Sequence, residues 1–278
     1  MKKGAKIIVL SGQSNAVGVG HTAYLSRHFP EDKVEEYRRG YKNVKINYYS
    51  HNIKSDGFVP VTLRCAEKGR DTFGPEIGMA EYLTEKYQGE EFFIVKCAFG
   101  GSGIACGDWM SPSISEIGSY EQTKHSEING IRERGWSYNE LIHILSESIS
   151  LLENDGYEPN ICGFCWMQGE NESFDMNIAK GYIGLYEKLL YDIVGKFPRY
   201  FEGCVFADGA IAEHWPLAKV INDSKRDFAA KSADRRFVDT VSAGLTTKNE
   251  PESAPDIAHY DSDGVIKLGR MFVEAVGF

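Results

Sequence analysis

The sequence has few cysteines, a deficit of positive charge and no long hydrophobic run. Six cysteines in 278 residues are too few for a disulfide scaffold. Lys and Arg total 31 against 40 Asp and Glu, so the net charge is −9, which disfavours nucleic acid as a partner. No apolar segment approaches the roughly 20 residues that cross a bilayer. We therefore expect no nucleic-acid or membrane partner, and the sequence leaves the oligomeric state open.

The N-terminal apolar stretch is short. Ile7 to Leu10 falls below the roughly 7–15 residues of a signal-peptide core, so we interpret it as a first β-strand and expect a cytoplasmic protein. Cys162 and Cys165 have a spacing seen in redox and metal sites. Residues three apart on a strand point to opposite faces, so we interpret both as core residues and expect neither metal nor cofactor.

Strand-like and helix-like patterns alternate along the chain. This alternation predicts an α/β fold with a mostly parallel sheet and helices on both faces, formed by one domain over residues 1–278. A capping box at Ser137 and Glu140 predicts one helix start. The predicted strands are 6–10, 92–98, 161–167, 203–207 and 237–241, and the other predicted helices are 75–88, 177–197 and 262–276.

Two motifs directly follow predicted strands at the sheet edge where such folds bind ligands. Gln13, Ser14 and Asn15 follow the first strand, and a serine in this turn holds its hydroxyl out of the sheet beside the N–H groups of a helix end. The alternative is an ordinary helix cap. Gly100 and Gly101 follow the second strand, where a backbone N–H could form part of an oxyanion hole.

Two further motifs complete the candidate site. Gln168 and Glu170 end the third strand; the amide could donate to an oxyanion, and Glu170 could orient a histidine, bind a hydroxyl or cap a helix. Asp256 precedes His259 by three residues, so its carboxylate could hold Nδ1 and leave Nε2 as a base. The order Ser, Asp, His also occurs in α/β-hydrolases, but Ala16 breaks their G-x-S-x-G pattern.

These motifs together resemble the carbohydrate-esterase family 6 and sialate O-acetylesterase branch of the SGNH hydrolases. Phe73-Gly74-Pro75-Glu76 and Asp108-Trp109 also fit the pattern, and the matches extend from residue 7 to about residue 270. The resemblance implies a flavodoxin-like three-layer α/β/α sandwich and metal-free ester hydrolysis. It also implies an oxyanion hole formed by the Ser14 N–H, an N–H near Gly101 and the Gln168 side chain.

The resemblance therefore predicts a serine esterase that removes O-acetyl groups from a carbohydrate such as acetylxylan or a sialic acid. Ser14 is the expected nucleophile, His259 its base and Asp256 the orienting acid, with Glu170 as the alternative. We expect substrate contacts from Gln13, Asn15, Ser102 and Trp109. An SGNH lipase or thioesterase and a non-catalytic carbohydrate-binding protein are the alternatives. Trp109, Tyr120 and Trp136 in and beside the long loop 99–136 favour sugar stacking over an acyl groove.

Overall fold

The computed structural model describes residues 2–66, 71–114, 133–252 and 254–278. The strands of these residues are β1 Lys3–Gly12, β2 Gly20–His21, β3 Tyr41–Ser50, β4 Ile53–Lys54, β5 Val59–Val61, β6 Thr72–Phe73, β7 Phe92–Ala98, β8 Tyr157–Met167, β9 Val205–Gly209 and β10 Arg235–Val238. The helices are α1 Ser14–Val17, α2 Thr22–His28, α3 Glu31–Arg39, α4 Glu76–Lys86, α5 Trp136–Asn154, α6 Met176–Lys196, α7 Ala218–Ala229 and α8 Ser262–Ala275. Short 3-10 helices lie at Asn171–Phe174 and Pro198–Tyr200.

The main sheet has the order β10-β9-β8-β1-β7-β3-β4. The strands from β10 to β3 run parallel, whereas β4 and β5 pair antiparallel with β3. The segment β7-β1-β8-β9-β10 reproduces the flavodoxin-like order, in which ligands bind where the strand order reverses. That reversal lies around β1, and the predicted α/β fold is confirmed.

Helices cover both faces of the sheet. Lys96 of β7 points to α4, where its Nζ lies 2.7 Å from Glu76 Oε2 and donates to Val17 O at the end of α1. Successive strand residues face opposite sides. Cys97 accordingly faces the opposite side, where α5 lies. Its burial and then the Glu140 carboxylate of α5 raise the pKa of its thiol well above the usual value.

Two glycines bring α4 and α8 close together on one face. A Cβ on Gly78 would lie 1.8 Å from Ile266 O, and a Cβ on Gly269 would lie 1.9 Å from Pro75 O. A side chain at either position would force the helices apart. The C-terminal helix is thereby fixed against the sheet, and with it the loop that precedes Ser262.

The five predicted strands and the predicted helices are present with bounds that differ by a few residues, but one long strand was missed and one helix cap was wrong. The long strand β3 was not predicted, because Lys and Asn interrupt its apolar alternation although it lies between β7 and the antiparallel edge strands. Ser137 does not cap α5: the helix starts at Trp136, and Gly135 occupies the cap position with φ 76°. The one-domain organisation stays a prediction.

The described cysteines are unpaired, and all of them are buried except Cys162, which is half-buried. Cys162 occupies a bulge, since Ile7 and Ile8 of β1 pair with Ile161 and Gly163 of β8. Among the described residues, no helix is long and apolar enough to span a membrane.

Candidate active site

The carboxyl ends of three parallel strands bring three of the predicted motifs together. Gly12 of β1 pairs with Ala98 of β7 and with Met167 of β8. The turns after these strands also begin side by side, because Gln13 N donates to Met167 O at 2.9 Å and Phe99 N donates to Gly12 O at 3.1 Å. The three motifs that follow β1, β7 and β8 therefore border one crevice.

Ser14 is the first residue of α1 and is half-buried. The preceding Gly12 has φ 135°, and a Cβ there would lie 2.0 Å from Met167 O, so the turn requires glycine. Within the described part of the chain, the N–H groups of Ser14 and Gly101 donate no hydrogen bond. Both amides are available to an anionic oxygen at this crevice.

His259 and Asp256 form a close pair in the loop before α8. Nδ1 of His259 lies 2.6 Å from Asp256 Oδ2, and the hydrogen bond from His259 lowers the pKa of Asp256. The carboxylate therefore stays ionised at neutral pH and fixes the ring through Nδ1. The His259 side chain is 23% exposed and that of Asp256 is 40% exposed, so the pair is not enclosed in the core.

The loop that carries this pair is anchored at both ends. The Asp261 carboxylate accepts hydrogen bonds from five groups: Thr246 Oγ1, Lys248 N, Asn249 N, Asn249 Nδ2 and Glu250 N. The Glu250 carboxylate accepts from Ser262 N at 2.9 Å and from Ser262 Oγ at 2.6 Å. Asp256 N then donates to Glu250 O at 2.7 Å. Glu250 thereby connects Asp256 to Ser262 at the start of α8.

Asn15 connects the serine turn to the histidine loop. Its Oδ1 accepts from Tyr260 N at 3.0 Å, and its Nδ2 donates to Glu170 Oε1 at 2.8 Å. The residue after Ser14 is thus bonded to the residue after His259. Asn15 is 1% exposed and both ends of its amide are occupied, so the expected substrate contact is corrected to an internal bridge.

Glu170 lies on this bridge rather than on the imidazole. The side chain is 1% exposed, and among the described residues its Oε2 has no hydrogen-bond partner. Burial raises its pKa. Of the two candidate acids, the structure brings Asp256 to His259 Nδ1 and holds Glu170 against Asn15.

Gln168, the expected side-chain donor of the oxyanion hole, is buried beneath the site. Its Nε2 lies close to Glu172 Oε2, 3.2 Å from Gln13 Oε1 and 3.3 Å from Ser102 O. A side-chain amide has only two N–H donors, and in this structure they face these three protein acceptors; the place of Gln168 in the oxyanion hole stays a prediction. Glu172, which the sequence reasoning did not single out, holds this amide and also accepts from Ile104 N at 2.5 Å and Ala105 N at 3.1 Å.

The other expected substrate contacts are also internal. Trp109 is fully buried and its Nε1 donates to Ser102 Oγ at 2.8 Å, while that hydroxyl donates to Phe99 O at 2.7 Å. Gln13 is 4% exposed and its Oε1 faces Gln168. These side chains support the loops of the site and do not face a ligand. Tyr120 lies outside the described residues.

Comparisons with known proteins identify the family of the chain. A family model described as "Carbohydrate esterase, sialic acid-specific acetylesterase" matches residues 4–277. The chain belongs to this family. It is a carboxylic ester hydrolase, an O-acetylesterase whose family acts on acetylated sugars.

Solved structures show the same fold at low sequence identity. NanS is 16% identical with a TM-score of 0.67, and the match covers 99% of this chain and 98% of NanS. A protein from Arabidopsis thaliana is 18% identical with a TM-score of 0.66 and 98% coverage of both chains. A carbohydrate acetylesterase from Xanthomonas citri is 16% identical with a TM-score of 0.62, over 98% of this chain and 55% of that one. No sequence among the curated proteins matches this chain.

The esterase has two features at the site that sequence reasoning missed. His51 follows β3 and lies against Gly100, because its N–H donates to Ala98 O at 2.8 Å; only the position of β3 in the sheet reveals this. Phe174 is 54% exposed and packs edge-on against Trp215 with ring centroids 5.6 Å apart.

Replacing Glu172 by Gln should change the pH dependence of stability. Burial raises the pKa of Glu172 from 4.5 to about 6. A raised folded-state pKa stabilises the fold below the unfolded pKa, and this contribution is lost as the pH rises through the folded pKa. Glu172→Gln has no carboxyl group to titrate, so its stability does not fall in this way. Between about pH 4.5 and about pH 7.5 the free energy of unfolding of the variant should therefore rise relative to wild type by about 2 kcal/mol, with a matching rise in relative melting temperature.

Thermal melts of both proteins across this range measure the effect. Glu158→Gln is the matched control, because this carboxylate is exposed. A difference between Glu172→Gln and wild type that is the same at both ends of the range would contradict the raised pKa.

Proposed function

We propose that the esterase releases acetate from O-acetylated carbohydrate with Ser14 as nucleophile, His259 as base and Asp256 as the acid that orients His259. The observation that carries the proposal is the 2.6 Å contact between His259 Nδ1 and Asp256 Oδ2. Asn15 supports it, because this side chain bonds the histidine loop to the residue after Ser14. A carbohydrate-binding protein without turnover needs no such pair.

The proposed reaction has two half-reactions. His259 Nε2 takes the proton of Ser14 Oγ as the oxygen attacks the acetyl carbonyl. The C–O bond to the sugar then breaks, and the sugar oxygen receives that proton from the imidazolium. Water attacks the acetyl-enzyme in the second half, with His259 again as base, and acetate leaves. Asp256 remains ionised throughout and stabilises the imidazolium.

Two backbone amides would stabilise the tetrahedral intermediate. The N–H of Ser14 lies at the start of α1, and the N–H of Gly101 lies in the glycine turn after β7. Both are free of hydrogen bonds within the described residues. Pre-positioned amides cost no reorganisation when the oxyanion forms, and each such donor is typically worth about 3–4 kcal/mol.

The sugar would lie on the aromatic surface formed by Phe174 and Trp215. Trp215 belongs to the loop after β9, at the same sheet edge as Ser14, and His214 beside it lies within electrostatic reach of Asp256. Phe174 follows β8 and keeps its exposed face open. An exposed aromatic ring beside polar groups suits the apolar face of a pyranose, whereas a long acyl chain needs an extended apolar groove.

Replacing Phe174 by Ala should raise the KM for an acetylated oligosaccharide about threefold to tenfold, because aromatic packing is worth roughly 0.5–1.5 kcal/mol. The increase for p-nitrophenyl acetate should be smaller, since this ester carries no sugar. Tyr191→Ala is the control, as Tyr191 is 74% exposed on α6. Equal changes in KM for both esters would show that Phe174 does not contact the sugar.

A panel of esters tests the proposed function itself. Acetate release would be measured from acetylated xylo-oligosaccharides, from O-acetylated sialic acids, and from p-nitrophenyl esters of increasing chain length. We expect release from at least one acetylated sugar. Hydrolysis confined to long-chain esters would favour the lipase or thioesterase alternative, and no hydrolysis at all would favour the binding protein.

A further inference from the structure

Within the described part of the chain, there is space above Gly100 on the side that faces Ser14. A Cβ on Gly100 would lie 3.9 Å from Ser14 Cβ, 3.4 Å from His51 Nδ1 and 3.6 Å from His51 Cε1. These are ordinary van der Waals distances, and the φ of Gly100 is not in the left-handed region. The backbone therefore tolerates a side chain here, and among the described residues the space between Ser14 and His51 has room for a methyl group.

The position of this gap matches the methyl of an acetylated serine. A planar ester has the geometry of a trans peptide, in which the two flanking carbons lie about 3.8 Å apart. In acetyl-Ser14 the flanking carbons are Ser14 Cβ and the acetyl methyl. The gap above Gly100, at 3.9 Å from Ser14 Cβ, lies at that separation.

We propose that this gap is the acyl pocket and that the His51 ring is its end wall, which limits the acyl group to acetyl. The proposal rests on Ser14 as the nucleophile. An additional methylene would have to enter the volume that the imidazole occupies. His51 is thus a specificity-determining residue for the acyl group, whereas Phe174 and Trp215 face the sugar.

The backbone holds the His51 ring in place. His51 has φ 49°, a left-handed conformation in which Asn, Asp and His are enriched among the residues other than glycine. Its N–H donates to Ala98 O at 2.8 Å, which ties it to the end of β7 next to Gly100. The distance between the wall and Ser14 is therefore set by the pairing of β3 with β7.

The test is the ratio of kcat/KM for p-nitrophenyl butyrate to that for p-nitrophenyl acetate. His51→Asn removes the ring and tolerates the left-handed backbone, so we expect the ratio to rise about tenfold or more, the range in which one or two methylenes discriminate. His51→Gly should act in the same direction. His143→Asn, at an exposed position of α5, should leave the ratio at the wild-type value.

Gly100→Ala examines the same space from the other side. The added methyl would fill the gap, so hydrolysis of the acetate ester should fall at least about tenfold while the melting temperature stays near that of wild type. If wild type hydrolyses the esters and neither His51 variant changes the ratio of kcat/KM for butyrate to that for acetate, the proposed acyl pocket is wrong. Absence of ester hydrolysis by wild type would instead overturn the proposed function on which it rests.

Discussion

Ser14→Ala is expected to abolish ester hydrolysis, with a fall in kcat on the order of 10⁶-fold, as for other serine nucleophiles. The hydroxyl is the only group at the site whose loss removes the covalent half-reactions. Within the described residues Ser14 Oγ makes no hydrogen bond, so the fold should not depend on it. Acetate release and a thermal melt of the same preparation measure both expectations.

The control for this variant is Ser150→Ala, because Ser150 is an exposed serine on α5. Its activity should equal that of wild type. If Ser14→Ala kept more than about one hundredth of wild-type kcat, a residue other than Ser14 would be the nucleophile.

Asp256→Asn is expected to lower kcat about 10⁴-fold, because an amide keeps the shape but neither stabilises the imidazolium nor selects the tautomer. The paired variant Glu170→Gln should have a much smaller effect. Glu170 bonds Asn15 Nδ2 through Oε1, and a glutamine oxygen can accept the same bond. Burial raises the pKa of Glu170, so replacing this carboxylate by a neutral amide removes the desolvation cost of a buried charge.

Steady-state kinetics of both variants decide between the two carboxylates. The opposite ranking would make Glu170 the acid that supports His259, against the geometry. Comparable losses would show that both carboxylates support the imidazole, with Asn15 transmitting the contribution of Glu170.

The sequence predicted where the site lies because chemistry-bearing motifs follow strands. The turns at Ser14, Gly101 and Gln168 each come directly after an apolar run, and parallel strands carry their carboxyl ends to one edge. The pair Asp256 and His259 could be predicted from spacing, since three residues of turn suffice for the contact. Because these features are local in the sequence, they were enough to predict which residues lie near this edge of the sheet.

The sequence could not predict which polar side chains are buried. Asn15 bonds Glu170 and Tyr260, which are far along the chain, and Trp109 is buried with its Nε1 on Ser102 Oγ. Gln168 meets Glu172 and Gln13 rather than solvent. Such assignments depend on tertiary packing and not on a local pattern, as does the place of His51, which follows a strand that its polar residues concealed.

Labelling with a fluorophosphonate tests the central claim most directly. The probe reacts with an activated serine, so digestion and mass spectrometry identify the nucleophile without any assumption about the sugar. The account predicts one label per chain, on Ser14, formed much more slowly in Asp256→Asn and absent from Ser14→Ala. A label on another residue, or labelling of Asp256→Asn as fast as wild type, would contradict the proposed roles of Ser14 and the Asp256–His259 pair.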